Sequence, residues 1–97
     1  MALLSKEAIQ GRLQPLLGWE IIDGTLQRTF TLSSFAHAVL FIGAVGQLAE
    51  AADHHPDIKL FDYKKVTIQL STHYANGLTE KDFDLANQIS QLPIKER

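Results

Sequence analysis

The sequence has 97 residues, 45% of them apolar, and its 9 basic and 11 acidic side chains leave a formal net charge of −2. A second domain would have to form its core from fewer than about fifty residues, where burial rarely offsets chain entropy, so one domain over residues 1–97 is expected. The largest basic cluster is Lys64-Lys65, which falls short of the basic face that phosphate contacts require, and direct nucleic-acid binding is not expected.

The first helix is predicted to begin after Ser5, whose hydroxyl can cap exposed N–H groups while Leu4 and Ile9 form a staple across the cap. Ile9, Leu13 and Leu16 recur at helical spacing, but Gly11 weakens the middle and Pro15 ends or kinks the helix. The period then changes. Residues 19–23 and 26–32 show partial alternation around Asp23-Gly24, where glycine favours a turn, and so predict a hairpin. Leu26, Phe30 and Leu32 share one face with Arg28, which either reaches an anion or snorkels its stem along apolar surface.

Ser33 or Ser34 caps the longest helix, approximately 34–52, with an inward ridge of Phe35, Val39, Ile42, Val45 or Gly46, and Ala49. Leu40, Phe41, Leu48 and Ala52 spread apolar surface beyond one stripe. The helix is therefore either the centre of a tight domain or part of a subunit contact. Gly43 and Gly46 cost helical stability but remove bulk, as a close backbone approach would need.

Residues 58–61 and 66–72 read as two more strands, with Asp62 near the turn between them and Val66, Ile68 and Leu70 facing inward. Asn76-Gly77 marks another turn. Thr79 and Asp82 have capping-box character, and Leu78 and Phe83 supply a staple. A helix of roughly 80–92 then ends before Pro93, leaving Ile94-Lys95-Glu96-Arg97 frayed. The order α-β-β-α-β-β-α suits an α+β fold, in which three helices pack on one face of a four-stranded antiparallel sheet. The other face is left to solvent, substrate or a partner.

With no cysteine, neither disulfides nor thiol chemistry is available, which fits a reducing compartment. Met1-Ala2-Leu3-Leu4 is too short for a signal-peptide core, and the most apolar run, Ala38 to Val45, is far below bilayer-spanning length. A soluble cytoplasmic protein without membrane attachment is expected.

The least ordinary segment is Glu50-Ala51-Ala52-Asp53-His54-His55-Pro56-Asp57. It lies at the end of the long apolar helix, where Pro56 discourages helical continuation and turns the chain toward the next strand. His73 follows the last strand, and the intervening hairpin can bring it back to the same rim. Histidine suits proton transfer because its reference pKa of about 6.5 makes both protonation states accessible near neutrality. His37 lies apart, within the long helix. Three histidines also invite a zinc site, but adjacent His54-His55 does not stack two ligands on one helical face and no cysteine supplements them. No metal is expected.

In order and spacing, Glu50, His54-His55-Pro56, Tyr63, His73 and Asp82 resemble the extended signature of the pterin-4a-carbinolamine dehydratase family. Phe30, Phe35, Thr72-His73 and Gly77-Leu78-Thr79 carry the likeness over nearly the whole chain. The resemblance implies dehydration of 4a-hydroxytetrahydrobiopterin or a related 4a-hydroxytetrahydropterin to quinonoid dihydropterin and water, with no cofactor.

The implied catalytic pair is His54 and His73. His55, Glu50 and Tyr63 are expected to bind the pterin, Glu50 from one helical turn before His54. Asp57 and Asp82 are expected to support the pocket, Asp82 either by orienting a neighbour or by fixing the last helix. A homodimer or homotetramer is expected. Some members of the resembling family also assist a homeodomain transcription factor, a partner that no residue here independently indicates. The alternative is a non-catalytic binding or assembly module whose histidines fill the junction between helix and sheet.

Overall fold

The computed structural model describes residues 3–94, so the expectations for Met1-Ala2 and for Lys95-Glu96-Arg97 lie outside the described residues. Helix α1, Lys6–Leu13, starts where Ser5 Oγ accepts the Ala8 N–H at 3.1 Å, and it stops ahead of Pro15. Leu4, Ile9 and Leu13 are partly buried against the core, as the staple requires. Arg12 pairs with Glu80, tying this helix to the start of the last one.

Strands β1, Glu20–Ile22, and β2, Thr25–Thr31, form the first hairpin. Asp23 and Gly24 both take positive φ, 50° and 77°, the geometry that lets a two-residue turn match the twist of its strands. β1 is shorter than predicted. Trp19 leaves the sheet and enters the core, where its Nε1–H donates to Ser90 Oγ at 2.7 Å and its ring meets Phe30 edge-on at 6.1 Å. Arg28 lays its guanidinium against Phe30, with the guanidinium carbon 4.2 Å from the ring centroid. Gly18, at φ 87°, leaves room for it, since a Cβ there would come within 2.8 Å of Arg28 Nε.

Helix α2, Phe35–Ala52, is capped by Ser34 Oγ, which accepts from the His37 N–H at 3.1 Å. Its buried ridge is Ala38, Phe41, Val45 and Ala49. Val45 and Ala49 were expected on this ridge, but Phe35 and Val39 were too and are 54% and 47% exposed, so its first half is corrected to Ala38 and Phe41. The helix has rotated to set small alanines at either end of the contact. Among the described residues the glycines mediate no close approach, because a Cβ on Gly43 or Gly46 would meet nothing within 4 Å. By length and mean hydropathy, 1.4, α2 as a whole could cross a bilayer, which the shorter run Ala38 to Val45 does not suggest; its inward ridge is instead committed to the core.

Strands β3, Asp57–Phe61, and β4, Lys65–Leu70, are joined through Asp62 and Tyr63, both left-handed. The sheet order is β1-β2-β4-β3, antiparallel throughout. Alternation puts Leu26 and Phe30 of β2 and Val66, Ile68 and Leu70 of β4 on the helix-covered face. Helix α3, Glu80–Ser90, adds Phe83, Leu85, Ala86 and Ile89 to the same core and ends two residues before the predicted boundary. Phe30 and Phe41, 4.7 Å apart between centroids, join sheet to helix, and burying each ring contributes about 1.5–3 kcal/mol. The fold is α+β, with three helices and a four-stranded antiparallel sheet in the predicted order. The uncovered face is polar, with Thr29 and Thr67 hydroxyls paired across β2 and β4 at 2.8 Å.

Candidate active site

The site begins with the way α2 stops. Asp53 adopts φ 50° and ψ 46° and returns its N–H to Ala49 and Glu50 carbonyls, while the His54 N–H bonds to the Ala49 carbonyl at 3.0 Å. This left-handed cap ends the helix before Pro56 can do so and turns the two histidines in different directions. His54 goes inward and is 7% exposed. His55 goes outward, where its Nε2 lies 3.1 Å from Glu50 Oε2.

Register brings the third histidine to the same end of the sheet. Asp57 at the start of β3 pairs with Gln69 near the end of β4, so the chain entering β3 from His55 lies level with the chain leaving β4 toward His73. Past Leu70, β4 gives way to a bridge between Thr72 and Gly77 and a turn of 3-10 helix, His73–Ala75. His73 is exposed on that turn. Thr72 continues the inward alternation of Val66, Ile68 and Leu70 and is buried.

Asp82 joins these segments. It is fully buried, and its Oδ1 lies 2.6 Å from His54 Nε2. Its Oδ2 accepts the Thr72 hydroxyl at 2.8 Å and the Thr79 backbone N–H at 2.9 Å. The Thr79 hydroxyl, 2.7 Å from that of Thr72, must be the donor between the two, because Thr72 has already given its only hydroxyl proton to Asp82. Asp82 is therefore both the N3 residue of the α3 capping box and the link from His54 to the residue preceding His73.

Hydrogen-bond roles fix the imidazole. As a carboxylate Asp82 only accepts, so the ring nitrogen facing it, Nε2 of His54, carries a proton, and in the neutral ring Nδ1 is then the lone pair. Among the described residues no buried side-chain nitrogen or oxygen lacks a partner. His54 Nδ1 makes no hydrogen bond within them, so it belongs to the part of the ring still open to solvent. The arrangement can hold one imidazole in a fixed tautomer, with a carboxylate behind it to stabilise the cation formed when Nδ1 takes a proton.

Of the remaining sequence-predicted residues, Glu50 pairs with His55 and not with His54, the consequence of the left-handed turn at Asp53. Asp57 is exposed at the head of β3. The structure does not bring Tyr63 to this edge. It lies in the β3–β4 turn, beyond a five-residue strand that at about 3.3 Å per residue carries it more than about 13 Å away. His37 bonds to Ser33 near the start of α2, also apart. No three His, Asp or Glu side chains converge to hold a metal ion among the described residues. Thr72 was legible as a strand residue and as part of the family likeness, but not as a partner of Asp82. Its signal was a hydroxyl at an inward-facing position, where burial demands a partner.

Comparison with known proteins places this geometry in context. A family model described as pterin 4 alpha carbinolamine dehydratase matches residues 2–92. A relative from Roseiflexus castenholzii, provisionally named a pterin-4-alpha-carbinolamine dehydratase, is 50% identical over 91 residues, covering 94% of this chain and 97% of its own. A crystal structure titled transcriptional coactivator/pterin dehydratase, from Brucella melitensis, superposes with a TM-score of 0.84 at 31% identity, covering 90% of this chain and 94% of that one. A pterin dehydratase-like protein described as a RuBisCO assembly factor in the alpha-carboxysome superposes with a TM-score of 0.60 at 25% identity, over 74% of this chain and 82% of its own.

Proposed function

The chain belongs to the pterin-4a-carbinolamine dehydratase family, and from that premise we propose that it converts 4a-hydroxytetrahydrobiopterin or a related 4a-hydroxytetrahydropterin to quinonoid dihydropterin and water. The observation that carries the proposal is the buried link from His54 through Asp82 to Thr72, beside His73. In the reaction a base removes the N5 proton, the N5 electron pair forms the N5=C4a bond, and the C4a hydroxyl leaves with a proton from an acid as water. No electrons are exchanged with a second reagent. His54, with Asp82 behind it, serves as the base through Nδ1, and His73 donates to the leaving hydroxyl. Positioned acid and base groups of this kind contribute about 10²–10⁴ in rate.

In this reading His55 and Glu50 hold the pterin from the outer side, with Asp57 as nearby support. Tyr63 has no part in it within one chain, given its place at the far turn. The reaction belongs to the cytoplasm, where a cysteine-free domain loses nothing to a reducing medium. The exposed Phe35, Val39 and Leu40 on α2 are the surface for a homodimer or homotetramer, since contiguous apolar patches commonly mark association sites.

The test is direct turnover of a defined 4a-hydroxytetrahydropterin, followed by appearance of the quinonoid product above the spontaneous rate. Acceleration by the parent protein, lost in His54→Ala and His73→Ala variants of confirmed fold, is the expected result; a parent rate equal to the spontaneous one rejects the proposal. A binding or assembly role without turnover is the second reading, favoured by the assembly-factor description of one structural neighbour. Pterin-independent capture of a protein partner by an inactive parent would select it.

A further inference from the structure

The loop carrying His73 faces a second element that the acid-base scheme leaves unused. The β1–β2 turn stands against the 73–77 segment, and between them lies a recess of about 270 Å³ walled by Asp23, Thr25, Ser71, Thr72, His73 and Asn76. Register explains the meeting, since Leu26 pairs with Leu70 and the chain before the one therefore lies level with the chain after the other. Thr72 is shared, since the hydroxyl bound to Asp82 belongs to a residue of this wall.

Polar groups here are uncommitted. Asp23, His73 and Asn76 are exposed and Ser71 is half-buried at the rim of the recess, and among the described residues their side chains make no hydrogen bond or ion pair, in contrast to the buried Thr72, Thr79 and Asp82, whose bonds are internal. Convergent polar groups without internal partners around a small concavity are the usual furniture of a ligand site. The volume is at the low end for such sites, suited to a bicyclic head group and not to a larger cofactor.

The pterin reading supplies the ligand on which this inference rests, and its chemistry selects one residue. The 2-amino group and N3–H of a pterin form an edge of two parallel donors, remote from N5 and the carbinolamine carbon. A carboxylate is the complement of such an edge, as it is of a guanidinium. We propose that Asp23 is the specificity-determining residue of the site, receiving the 2-amino and N3–H edge of the pterin in the recess while the N5 and C4a end lies at His73 and toward His54. A 2,4-dioxo ring, which offers a carbonyl where the pterin offers the amino group, is rejected by repulsion from the same carboxylate.

Asp23→Asn tests this without disturbing the fold, because asparagine tolerates the left-handed conformation that the turn requires; unchanged melting temperature checks it. Two measurements are combined: dehydration kinetics of a 4a-hydroxytetrahydropterin, and calorimetric binding of 6-hydroxymethylpterin against its 2,4-dioxo counterpart. Expected are a KM raised about tenfold or more, the scale of one charge-assisted pair, kcat within about twofold, and loss of the parent's preference for the 2-amino ring. If the parent turns over and the variant keeps both KM and preference, the assignment of Asp23 is overturned while the dehydratase reading stands. If the parent shows no turnover but has a preference that Asp23→Asn removes, the subsite stands and the dehydratase reading falls. A parent that neither turns over nor binds overturns both.

Discussion

Replacing Asp82 with asparagine changes one atom of a fully buried side chain, and the consequence follows from its three hydrogen bonds, 2.6 Å from His54 Nε2, 2.8 Å from the Thr72 hydroxyl and 2.9 Å from the Thr79 N–H. The amide oxygen can remain on the side of Thr72 and Thr79, which both donate. The NH₂ then faces His54, donor against donor. The ring must move its proton from Nε2 to Nδ1, and the lone pair proposed as the base disappears. On energetics, bonds to a charged group are worth about 1.5–3 kcal/mol and neutral ones about 0.5–1.5 kcal/mol. Three bonds therefore lose about 3 kcal/mol in all, partly offset because no charge is buried any longer. A net loss of about 2 kcal/mol lowers the melting temperature of a domain this size by roughly 8–15 °C.

The assay has three readings. Asp82→Asn should lower kcat by about 10²–10⁴, the range of a lost acid-base group, with KM nearly unchanged because Asp82 does not touch substrate. Nitrogen NMR of the imidazole should report Nε2–H in the parent and Nδ1–H in the variant, a change that loss of a helix cap alone would not produce. A variant with parent-like kcat and an unchanged His54 tautomer would refute the positioning argument, even if its stability fell as calculated.

His54→Ala and His73→Ala should both lose about 10² or more in kcat, but differ in stability. The first strands the buried Asp82 and costs about 1–3 kcal/mol, whereas the exposed His73 should shift the melting temperature by no more than about 2 °C; calorimetry beside turnover separates them. Asp53→Gly should raise stability by about 1 kcal/mol, because it removes the penalty of a Cβ in left-handed backbone at the end of α2, and a chemical denaturation midpoint reads this. Gly43→Ala should also stabilise by about 1 kcal/mol, since the added methyl meets nothing among the described residues and helix propensity improves. A loss of stability there that grows with protein concentration would show Gly43 at a subunit contact.

The elements were legible wherever local chemistry and pattern agreed. Ser5 and Ser34 cap, Asp23-Gly24 turns, and Val66, Ile68 and Leu70 alternate inward, because each is a short-range choice that the backbone makes with its immediate neighbours. The facing of the second half of α2, through Val45 and Ala49, was legible, but that of the first half was not. From Phe35 to Leu48 the helix offers almost no charge to mark the solvent side, so several stripes satisfy helical spacing, and pattern reading favours the larger Phe35 and Val39. Packing against a sheet already filled by Phe30 and Leu26 favours Ala38 and Phe41 instead, the alanine letting the first turns lie close. That choice is made by the partner surface and has no trace in the periodicity of the helix.

The candidate site divides the same way. The histidines and Asp82 were visible as residue types at telling positions, but their connection depends on events of two or three residues. A left-handed Asp53 sends His54 inward and gives Glu50 to His55. The end of β4 at Leu70 leaves Thr72 inward and His73 outward on a short turn. Neither event changes which residues are present, yet together they decide that the carboxylate behind His54 belongs to α3 and not to α2. In the proposed reaction Asp82 thereby couples folding to chemistry: the carboxylate that closes the first turn of α3 also holds the Nε2 proton of the imidazole, so the proposed base would be set only when the last helix has docked.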